Sequence, residues 1–224
     1  MPTSTSTSHD YTILGLDEAG RGCVLGSLYI GGFTCRASSL TKLQETGATD
    51  SKKLSEKKRT AILEILPSIG TLELIEVTPH QIDTGNINQL EEDAFIQIIS
   101  KVQPDIVYID APCHPKGIPA VQKRITEALK NQGINIPKFI IEAKADLNYP
   151  IVGAASIVAK VNRDEELQKL ENPEEPFGSG YPSDPITRQW LINCLSKNEL
   201  PTFVRHRWGT IEKLKQELKQ GQLF

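Results

Sequence analysis

Two adjacent carboxylates, Asp17 and Glu18, follow an apolar run over residues 11–16 and precede a glycine-arginine-glycine turn at residues 20–22. A short apolar run bounded by such a turn is typical of a buried strand. Like charges at a strand end repel each other, and a divalent cation removes that cost because hard cations prefer oxygen ligands. The glycines let the backbone approach whatever the cation holds. This stretch therefore predicts a metal site beside a loop that can come close to a substrate.

Two further acids occupy comparable places in the chain. Asp110 ends a second apolar run, residues 106–110, and Asp146 lies shortly before a long helical stretch. Each has an ordinary alternative role, because Asp110 can cap the turn after its strand and Asp146 can cap a helix. Together with Asp17 and Glu18 they form a set of four acids without a histidine cluster, which suits Mg²⁺ or Mn²⁺ rather than zinc. Two such ions about 4 Å apart would clamp the attacking water and the leaving oxygen during phosphodiester hydrolysis.

Loop residues elsewhere are candidates for contact with a phosphate-bearing substrate. Lys52 and Lys53 lie in a polar loop ahead of a helix, a place that suits a phosphate contact. Tyr181 lies on the glycine-rich loop at residues 178–182, where a tyrosine is either a packed corner or a stacking platform for a base or sugar. Residues 205–207 form a second basic run, and such a charge run is expected to be a solvated surface. For His206, a solvated surface is favoured over a phosphate contact. The residues alone leave the role of Tyr181 open.

Two other chemistries fit the sequence less well. The turn after Glu18, with Gly26 as a third glycine, resembles a dinucleotide-binding loop. Two anions at the mouth of that loop would repel a pyrophosphate, and no clear helix follows the glycines. Residues 178–180 lack the G-x-S-x-G pattern of a nucleophilic serine. Metal-dependent phosphodiester hydrolysis is therefore favoured over a dinucleotide enzyme or a serine hydrolase.

Length and composition predict a soluble globular protein of one main domain. The chain has 224 residues, and no apolar run approaches the roughly 20 residues that a membrane span needs. Its four cysteines are scattered without zinc-ligand spacing, as expected for free thiols in the cytoplasm. Residues 1–10 are rich in Ser and Thr without a signal peptide, which predicts a disordered tail. The net charge of −3 gives no overall attraction to nucleic acid, so local basic patches would have to dock it.

The order of the predicted elements favours an α/β fold. Strands are predicted at residues 11–16, 24–34, 71–77, 106–110 and 139–142. Helices are predicted at residues 56–66, 118–131, 154–170, 185–197 and 210–219, with a further one that follows a capping box at Asn88 and ends near residue 102. The early strands form an antiparallel meander, and the later strands alternate with helices as in parallel crossovers. We therefore predict a mixed five-stranded sheet flanked by helices, with a helical C-terminal appendage.

This arrangement predicts how the chain is divided and where its acids meet. A tail at residues 1–10 precedes the main domain at residues 11–170, and a helical region at residues 171–224 packs on that domain. The strands that end in Asp17 and Asp110 would be parallel neighbours, so that both acidic ends face one crevice. The glycine pair at residues 31–32 would weaken the second strand or mark a bulge.

Eight motifs between Gly15 and about Thr210 resemble those of type 2 ribonuclease H, the ribonuclease HII family, in its archaeal and eukaryotic branch. The motifs are GLDEAGRG (15–22), DSKKL (50–54), NINQLE (86–91), YIDAP (108–112), KAD (144–146), AASIVAKVNRD (154–164), GSGYPSD (178–184) and VRHRWGT (204–210). The match covers nearly the whole chain, and motifs of this length in this order do not arise by chance.

The resemblance implies an RNase H-like fold with four catalytic, metal-binding acids, Asp17, Glu18, Asp110 and Asp146, that hold two divalent ions, Mg²⁺ or Mn²⁺. It implies an endonuclease that cuts the RNA strand of RNA–DNA hybrids and single ribonucleotides embedded in duplex DNA. The products would carry 5′-phosphate and 3′-hydroxyl ends. We expect such an enzyme to act as a monomer in DNA replication and repair, in the cytoplasm and without a membrane partner.

The same resemblance assigns substrate contacts to the turn and to the loops. The backbone of Gly20, Arg21 and Gly22 would recognise the ribose 2′-hydroxyl, the group that distinguishes RNA from DNA. Tyr181 would pack on the sugar beyond the ribonucleotide, and the two loop lysines named above would lie near the substrate phosphates. The segment at residues 204–210 departs from the bacterial pattern, so its individual contacts are not inferred.

Alternatives to hybrid cleavage and one further partner are also considered. The first alternative is a broader Mg²⁺-dependent nuclease or phosphotransferase of the same superfamily, and the second is a non-catalytic module that binds hybrids. Four acids that face phosphates favour catalysis over simple binding. Some relatives end in a sliding-clamp motif, and Gln220 and Leu223 match its start, but the chain stops before the aromatic pair that completes it. We therefore do not expect a sliding clamp among the partners.

Overall fold

The computed structural model describes residues 10–49 and 53–221. Within these residues five strands form one sheet: β1 Thr12–Ala19, β2 Leu28–Arg36, β3 Thr71–Val77, β4 Ile106–Asp110 and β5 Lys138–Glu142. The helices are α1 Leu40–Glu45, α2 Glu56–Ile65, α3 Pro79–Thr84, α4 Ile87–Val102, α5 Ile118–Asn131, α6 Ala145–Asn148, α7 Pro150–Leu170, α8 Pro185–Lys197 and α9 Gly209–Gly221. Short 3₁₀ segments cover Ala37–Ser39, Leu66–Ser68 and Pro115–Gly117.

The sheet is mixed, with the strand order β3-β2-β1-β4-β5. The β1–β2 and β2–β3 pairs are antiparallel, whereas the β1–β4 and β4–β5 pairs are parallel. The predicted mixed five-stranded sheet flanked by helices is therefore confirmed. Leu16 of β1 lies opposite Ile109 of β4, so the next residue on each strand, Asp17 and Asp110, falls at the same edge of the sheet.

Helix α7 crosses one face of the sheet at close range. A Cβ atom on Gly15 would lie 2.1 Å from the carbonyl oxygen of Ile151, and one on Gly31 would lie 2.2 Å from that of Ala155. Neither place accommodates a side chain, so these glycines set the distance between the helix and the sheet. The pair at residues 31–32 does not mark a bulge, because the ladder continues through both glycines on both sides. That the pair weakens the strand stays a prediction.

The opposite face of the sheet packs against α4 and α5. This core combines the strand residues Leu14, Leu16, Ile30, Val107 and Ile109 with the helix residues Phe95, Ile98, Ile99, Val121 and Ile125. Burying one such side chain contributes about 1.5–3 kcal/mol relative to leaving it exposed. The sheet is thus fixed between two helical layers, which hold the ends of β1 and β4 in place.

A separate hydrophobic cluster joins the C-terminal helices to the segment that follows β1. Val24 and Leu25 pack there with Phe177, Leu191 and Val204. The C-terminal region therefore packs directly against the chain that leaves the Gly20–Gly22 turn. The division at residue 170 coincides with the end of α7 but stays a prediction, and residues 1–9 of the predicted tail lie outside the described part.

Strand β1 continues to Ala19 rather than ending at residue 16, because its pairing with β2 extends through Asp17, Glu18 and Ala19. Three other predicted boundaries differ for a local reason. Strand β2 begins at Leu28 rather than at residue 24, because Gly26 has a φ of +76° and donates its N–H to the carbonyl of Phe203. Helix α7 begins at Pro150 rather than at residue 154, and proline suits the first turn of a helix. Helix α4 is capped by Asn86 rather than Asn88, since the Asn86 side chain accepts two backbone N–H groups.

Within the described part of the chain, none of the helices combines the length and the apolar character needed to cross a membrane.

Candidate active site

Three of the four predicted catalytic acids line one cavity at the carboxyl edge of β1 and β4. The cavity has a volume of about 420 Å³, and its wall includes Asp17, Glu18 and Asp110. Asp17 is buried, with 4% of its surface exposed. The parallel pairing of β1 with β4 creates this meeting point, because parallel strands bring their carboxyl ends to the same side of a sheet.

These carboxylates are close enough to oppose one another's ionisation. Burial raises the pKa of Asp17 well above its ordinary value, and the neighbouring charge of Glu18 raises it further, while Ser156 and Lys160 act in the opposite direction. Burial and the charge of Asp110 likewise raise the pKa of Glu18. The Oε2 atom of Glu18 is buried without a hydrogen-bond partner among the described residues. The pKa values of both carboxyl groups are therefore raised mainly by burial and further by the charges of their neighbours.

Asp146 lies next to this cavity rather than in its wall. It belongs to the short helix α6, and 1% of its surface is exposed. The preceding residue, Ala145, donates its N–H to Oδ1 of Asp110 over 2.9 Å, which ties α6 to the end of β4. Both carboxylate oxygens of Asp146 are buried without a described hydrogen-bond partner, an arrangement that costs free energy unless another group satisfies them.

The donor chemistry of this edge fits a divalent cation. Buried carboxylate oxygens that lack partners on Glu18 and Asp146, together with raised pKa values, are the environment that a hard cation would relieve. In the parts of the chain that are described, no three acidic, histidine or cysteine side chains surround a common point closely enough to hold an ion as they stand. Asp17 and Asp110 instead accept backbone N–H groups, from Glu18 over 2.7 Å and from Ala145 over 2.9 Å.

The Gly20–Gly22 turn forms another part of the same wall. Gly20 has a φ of +91°, and a Cβ atom there would lie 2.8 Å from the carbonyl oxygen of Ser27, so only glycine fits without strain. The side chain of Arg21 forms an ion pair with Glu91 and a hydrogen bond with Asn88, both on α4. The guanidinium of Arg21 therefore anchors the turn to α4.

Arg205 supports the turn from behind, a role that the sequence did not suggest. Its side chain is fully buried and donates hydrogen bonds to the carbonyls of Gly20, Arg21 and Gly26 over 2.7, 3.1 and 3.0 Å. The guanidinium also lies over the ring of Trp208, 5.1 Å from its centroid. The basic run at residues 205–207 was expected to be a solvated surface, and for Arg205 that expectation is wrong.

Arg163 holds Tyr181 beside the turn. It donates to the carbonyl of Ser179 over 2.7 Å and to the sulfur of Cys23 over 3.1 Å, and its guanidinium lies 5.1 Å from the centroid of the Tyr181 ring. Tyr181 lines the cavity with 40% of its surface exposed, so its ring is supported on one side and open on another. This geometry allows the ring to support a sugar or a base.

Two further cations line the cavity that the sequence did not single out as site residues. Lys160 on α7 donates to the hydroxyl of Ser156 over 2.9 Å, and Arg59 on α2 pairs with Asp164 over 2.9 Å. Lys160 and Arg163 are three residues apart on one helix, so they project from the same face. The three-residue spacing of these two cations, within the motif at residues 154–164, is the sequence signal that could have identified them as site residues.

The two loop lysines are not placed at the cavity. Lys53 is exposed and is not among the residues that line it, whereas Lys52 lies outside the described residues. Their proposed contact with phosphates therefore stays a prediction.

The topology and the acidic edge define an enzyme of the RNase H-like α/β class. The structure titled "Crystal structure of Bst-RNase HIII in complex with Mn2+" superposes with a TM-score of 0.71 at 16% identity and shares the fold. The ribonuclease H2 of Pyrococcus horikoshii OT3 superposes with a TM-score of 0.82 at 36% identity, covering 93% of this chain and 99% of that one. The RNase HII in the PCNA:RNase HII complex from Archaeoglobus fulgidus superposes with a TM-score of 0.79 at 36% identity. The match covers 90% of this chain and 96% of that one.

Sequence comparison identifies the family. The model for ribonuclease HII matches residues 14–211. A ribonuclease HII of Archaeoglobus fulgidus is 37% identical over 207 residues, which span 91% of this chain and 96% of that protein. The chain belongs to the ribonuclease HII family. The predicted family and the predicted enzyme class, a ribonuclease H, are therefore confirmed.

One finding counts against a prediction. The Archaeoglobus fulgidus relative was solved as a complex with PCNA, a sliding clamp, although the sequence argued against a clamp partner for this chain. The residues on which that argument depended include Leu223 and Phe224, which lie outside the described part.

Proposed function

We propose that this ribonuclease H hydrolyses the RNA strand of RNA–DNA hybrids and also cuts single ribonucleotides embedded in duplex DNA, leaving 5′-phosphate and 3′-hydroxyl ends. The observation that carries the proposal is the meeting of Asp17, Glu18 and Asp110 with the Gly20–Gly22 turn at one cavity. A set of acids suited to phosphodiester hydrolysis thus lies within reach of a backbone loop suited to ribose recognition.

In this proposal the four acids hold two divalent ions, Mg²⁺ or Mn²⁺. Ions bound there would supply Lewis acidity to the phosphodiester and favour ionisation of the attacking water. Asp17, Glu18 and Asp110 would fix that charge at the end of two parallel strands, and Asp146 would complete the set from α6. Relief of the repulsion among the acids favours occupancy of the site.

The rest of the cavity wall is assigned to the substrate. The backbone N–H groups of the turn donate to the ribose 2′-oxygen, and the ring of Tyr181 packs on the next sugar. Lys160 and Arg59 offer positive charge to the phosphates on either side, which would position the backbone without selecting a sequence. In this scheme the acids provide hydrolysis, and the turn restricts hydrolysis to ribonucleotides.

Cleavage of three matched duplexes tests the proposal. One is all DNA, the second carries a single ribonucleotide, and the third has one strand entirely of RNA; each is assayed with Mg²⁺ and with Mn²⁺. We expect both ribonucleotide-containing duplexes to be cut and the all-DNA duplex to stay intact. Cleavage of the all-DNA duplex would instead indicate the broader nuclease, and binding without cleavage of any duplex would indicate the non-catalytic module.

We also propose that the chain binds a sliding clamp, because a relative that is 36% identical over 90% of this chain was solved in complex with PCNA. The segment to test is residues 220–224, which begins like the clamp motif of some relatives. A pull-down with PCNA should retain the intact chain and lose the chain shortened at residue 219. Equal retention of both chains would assign the contact to another part of the protein. Retention of neither would support the expectation from the sequence that a sliding clamp is not a partner.

The monomeric state and the location in the cytoplasm stay predictions.

A further inference from the structure

The buried guanidinium of Arg205 has an environment that stability alone does not explain. It has no exposed surface, and among the described residues no carboxylate lies within ion-pair distance. Burial lowers the pKa of Arg205 to about 10, which still leaves it charged at neutral pH. Burying a charge costs free energy, and a well-packed apolar side chain is often as stabilising or more so. The position of Arg205 therefore invites a functional explanation.

The three acceptors of Arg205 are the carbonyls that shape the turn. Nη2 donates to Gly20, Nη1 donates to Arg21, and Nε donates to Gly26. The described chain contains no cis peptide, and in a trans peptide the C=O and N–H groups point in opposite directions. With the carbonyls of Gly20 and Arg21 turned towards Arg205, the N–H groups of Arg21 and Gly22 point away from it. Both residues line the cavity.

Those two N–H groups are available to a ligand. No acceptor among the described residues takes a hydrogen bond from the backbone N–H of Arg21 or Gly22, whereas the next amide, that of Cys23, is used within the turn and donates to Gly20 over 3.2 Å. The turn thus presents two adjacent donors, and their direction depends on which way two peptide planes are rotated. Gly20 and Gly22 are flexible positions, so a separate group is needed to fix those planes.

Arg205 is itself held rigidly. Its backbone N–H donates to the carbonyl of Val24 over 2.9 Å, the N–H of Gly26 donates to Phe203 over 2.9 Å, and Leu25 pairs with Val204 in an isolated bridge. The segment that carries Arg205 therefore runs alongside the chain that leaves the turn. The planar guanidinium spans three carbonyls, which a single ammonium group cannot do in the same way.

We propose that Arg205 is a positioning residue for ribose recognition, which fixes two peptide planes of the turn so that the N–H groups of Arg21 and Gly22 face the substrate. This inference rests on the proposed function. It assigns to the C-terminal region a part in distinguishing ribose from deoxyribose, although that region supplies none of the four acids. Arg205 does not touch the substrate in this proposal and acts only through the turn.

The test compares binding of two duplexes in an Asp110→Asn background, which prevents cleavage during the measurement. The dissociation constant is measured in Mg²⁺ for an all-DNA duplex and for the same duplex with one ribonucleotide, and their ratio is the ribose preference. In Arg205→Met we expect the preference to fall about fivefold for each hydrogen bond lost, while affinity for the all-DNA duplex stays within about twofold. Arg205→Lys should show an intermediate preference.

The controls separate positioning from general loss of structure. Arg207→Met removes an exposed arginine from the same segment and should leave the ribose preference unchanged. A purely structural role of Arg205 would lower the folded fraction of the variant. Binding of both duplexes would then weaken equally, and the ratio of their dissociation constants would stay the same. If Arg205→Met does not fold, Arg205→Lys decides. If both variants keep the ribose preference, this inference alone is overturned. If the Asp110→Asn protein that retains Arg205 already binds the two duplexes equally, the proposed ribose recognition is overturned as well.

Discussion

The acidic edge of the sheet and the Gly20–Gly22 turn line the same cavity but are stabilised in opposite ways. At the acidic edge, negative charges are placed together, and carboxylate oxygens of Glu18 and Asp146 are left without partners. At the turn, the positive charge of Arg205 is buried, and its guanidinium donates to three backbone carbonyls. The protein itself satisfies these carbonyls of the turn, whereas it leaves carboxylate oxygens at the acidic edge for a ligand to satisfy.

This difference indicates how the two regions contribute to function. A region that the protein leaves unsatisfied gains affinity for a ligand at a cost in stability, because the ligand relieves the repulsion. A region that is satisfied in advance loses little entropy when the substrate arrives, because its donors are already oriented. Substitutions at the acidic edge should therefore affect activity far more than stability, and substitutions at the turn should affect both.

The largest effect is expected for Asp110→Asn. Loss of one of the four proposed metal ligands should reduce cleavage of a ribonucleotide-containing duplex by about 100-fold or more, since even substitutions of outer-shell residues cost about 10–100-fold at metal sites. Stability without metal should stay the same or rise, because one of the mutually repelling charges is removed. Cleavage assays and thermal unfolding in a chelator measure the two quantities.

Asp93→Asn is the matched control for that prediction. Asp93 is an exposed acid on α4 that accepts a hydrogen bond from Gln89 and lines no part of the cavity. The Asp93→Asn substitution should leave the cleavage rate within about twofold of that of the unsubstituted protein. Full activity of Asp110→Asn with Mg²⁺ would remove Asp110 from the catalytic set.

The sequence predicted the sheet well because its signals are local. The strands β3 and β4 are found at residues 71–77 and 106–110 as predicted, since alternation and a bounded apolar run are visible without tertiary context. The close packing of α7 on Gly15 and Gly31 could not be predicted, because it depends on the distance between two elements far apart in the chain. The mixed topology was predicted from the change from meander to crossover connections, and the observed strand order confirms it.

The meeting of three acids at one cavity could be predicted from residue type, whereas the arginines that support the cavity wall could not, because their burial is not visible in the sequence. Acids at strand ends are conspicuous in any sequence, so Asp17 and Asp110 were identified before the fold was known. Arg163 and Arg205 were not, because an arginine among other charged residues is usually solvated. Only the structure shows that each is buried against carbonyl oxygens.

An intermediate effect is expected for Gly20→Ala, which tests the turn. The added Cβ would lie 2.8 Å from the carbonyl oxygen of Ser27 at a φ of +91°, so backbone strain and a clash act together. Gly47→Ala is the control, because Gly47 has a φ of +75° with nothing within 4 Å of its Cβ position. We expect Gly47→Ala to cost about 1–2 kcal/mol in the free energy of unfolding, and Gly20→Ala to cost more.

Activity distinguishes the two glycine variants further. Cleavage by Gly20→Ala should fall, because the turn must shift away from its position in the cavity wall, whereas Gly47→Ala should cut at the original rate once folded. Chemical denaturation gives the stabilities, and initial rates on the single-ribonucleotide duplex give the activities. Equal stability losses in the two variants would show that the turn tolerates a side chain and is not fixed by its packing.

The smallest effect is expected in the pH dependence of stability without metal. The pKa values of Asp17 and Glu18 are raised in the folded state, so between their ordinary values of 3.8 and 4.5 and the raised values the folded chain binds more protons than the unfolded chain. Stability must therefore fall as pH rises through that window. Asp184 acts in the opposite direction, because hydrogen bonds from Ser179 lower its pKa to about 2, but its contribution is constant above about pH 5.

Thermal unfolding between pH 5 and pH 8 in a chelator isolates the acidic edge. The melting temperature should fall with pH, at about 2–4 °C for each kcal/mol in a chain of this size. The slope should be shallower in Asp110→Asn, because the charge of Asp110 raises the pKa of both neighbours. It should disappear when Mg²⁺ is added, because a bound cation stabilises the ionised carboxylates. If neither Mg²⁺ nor Asp110→Asn changes the slope of melting temperature against pH, the pH dependence arises elsewhere in the protein. The contrast between an acidic edge with unsatisfied carboxylates and a turn with satisfied carbonyls would then be wrong.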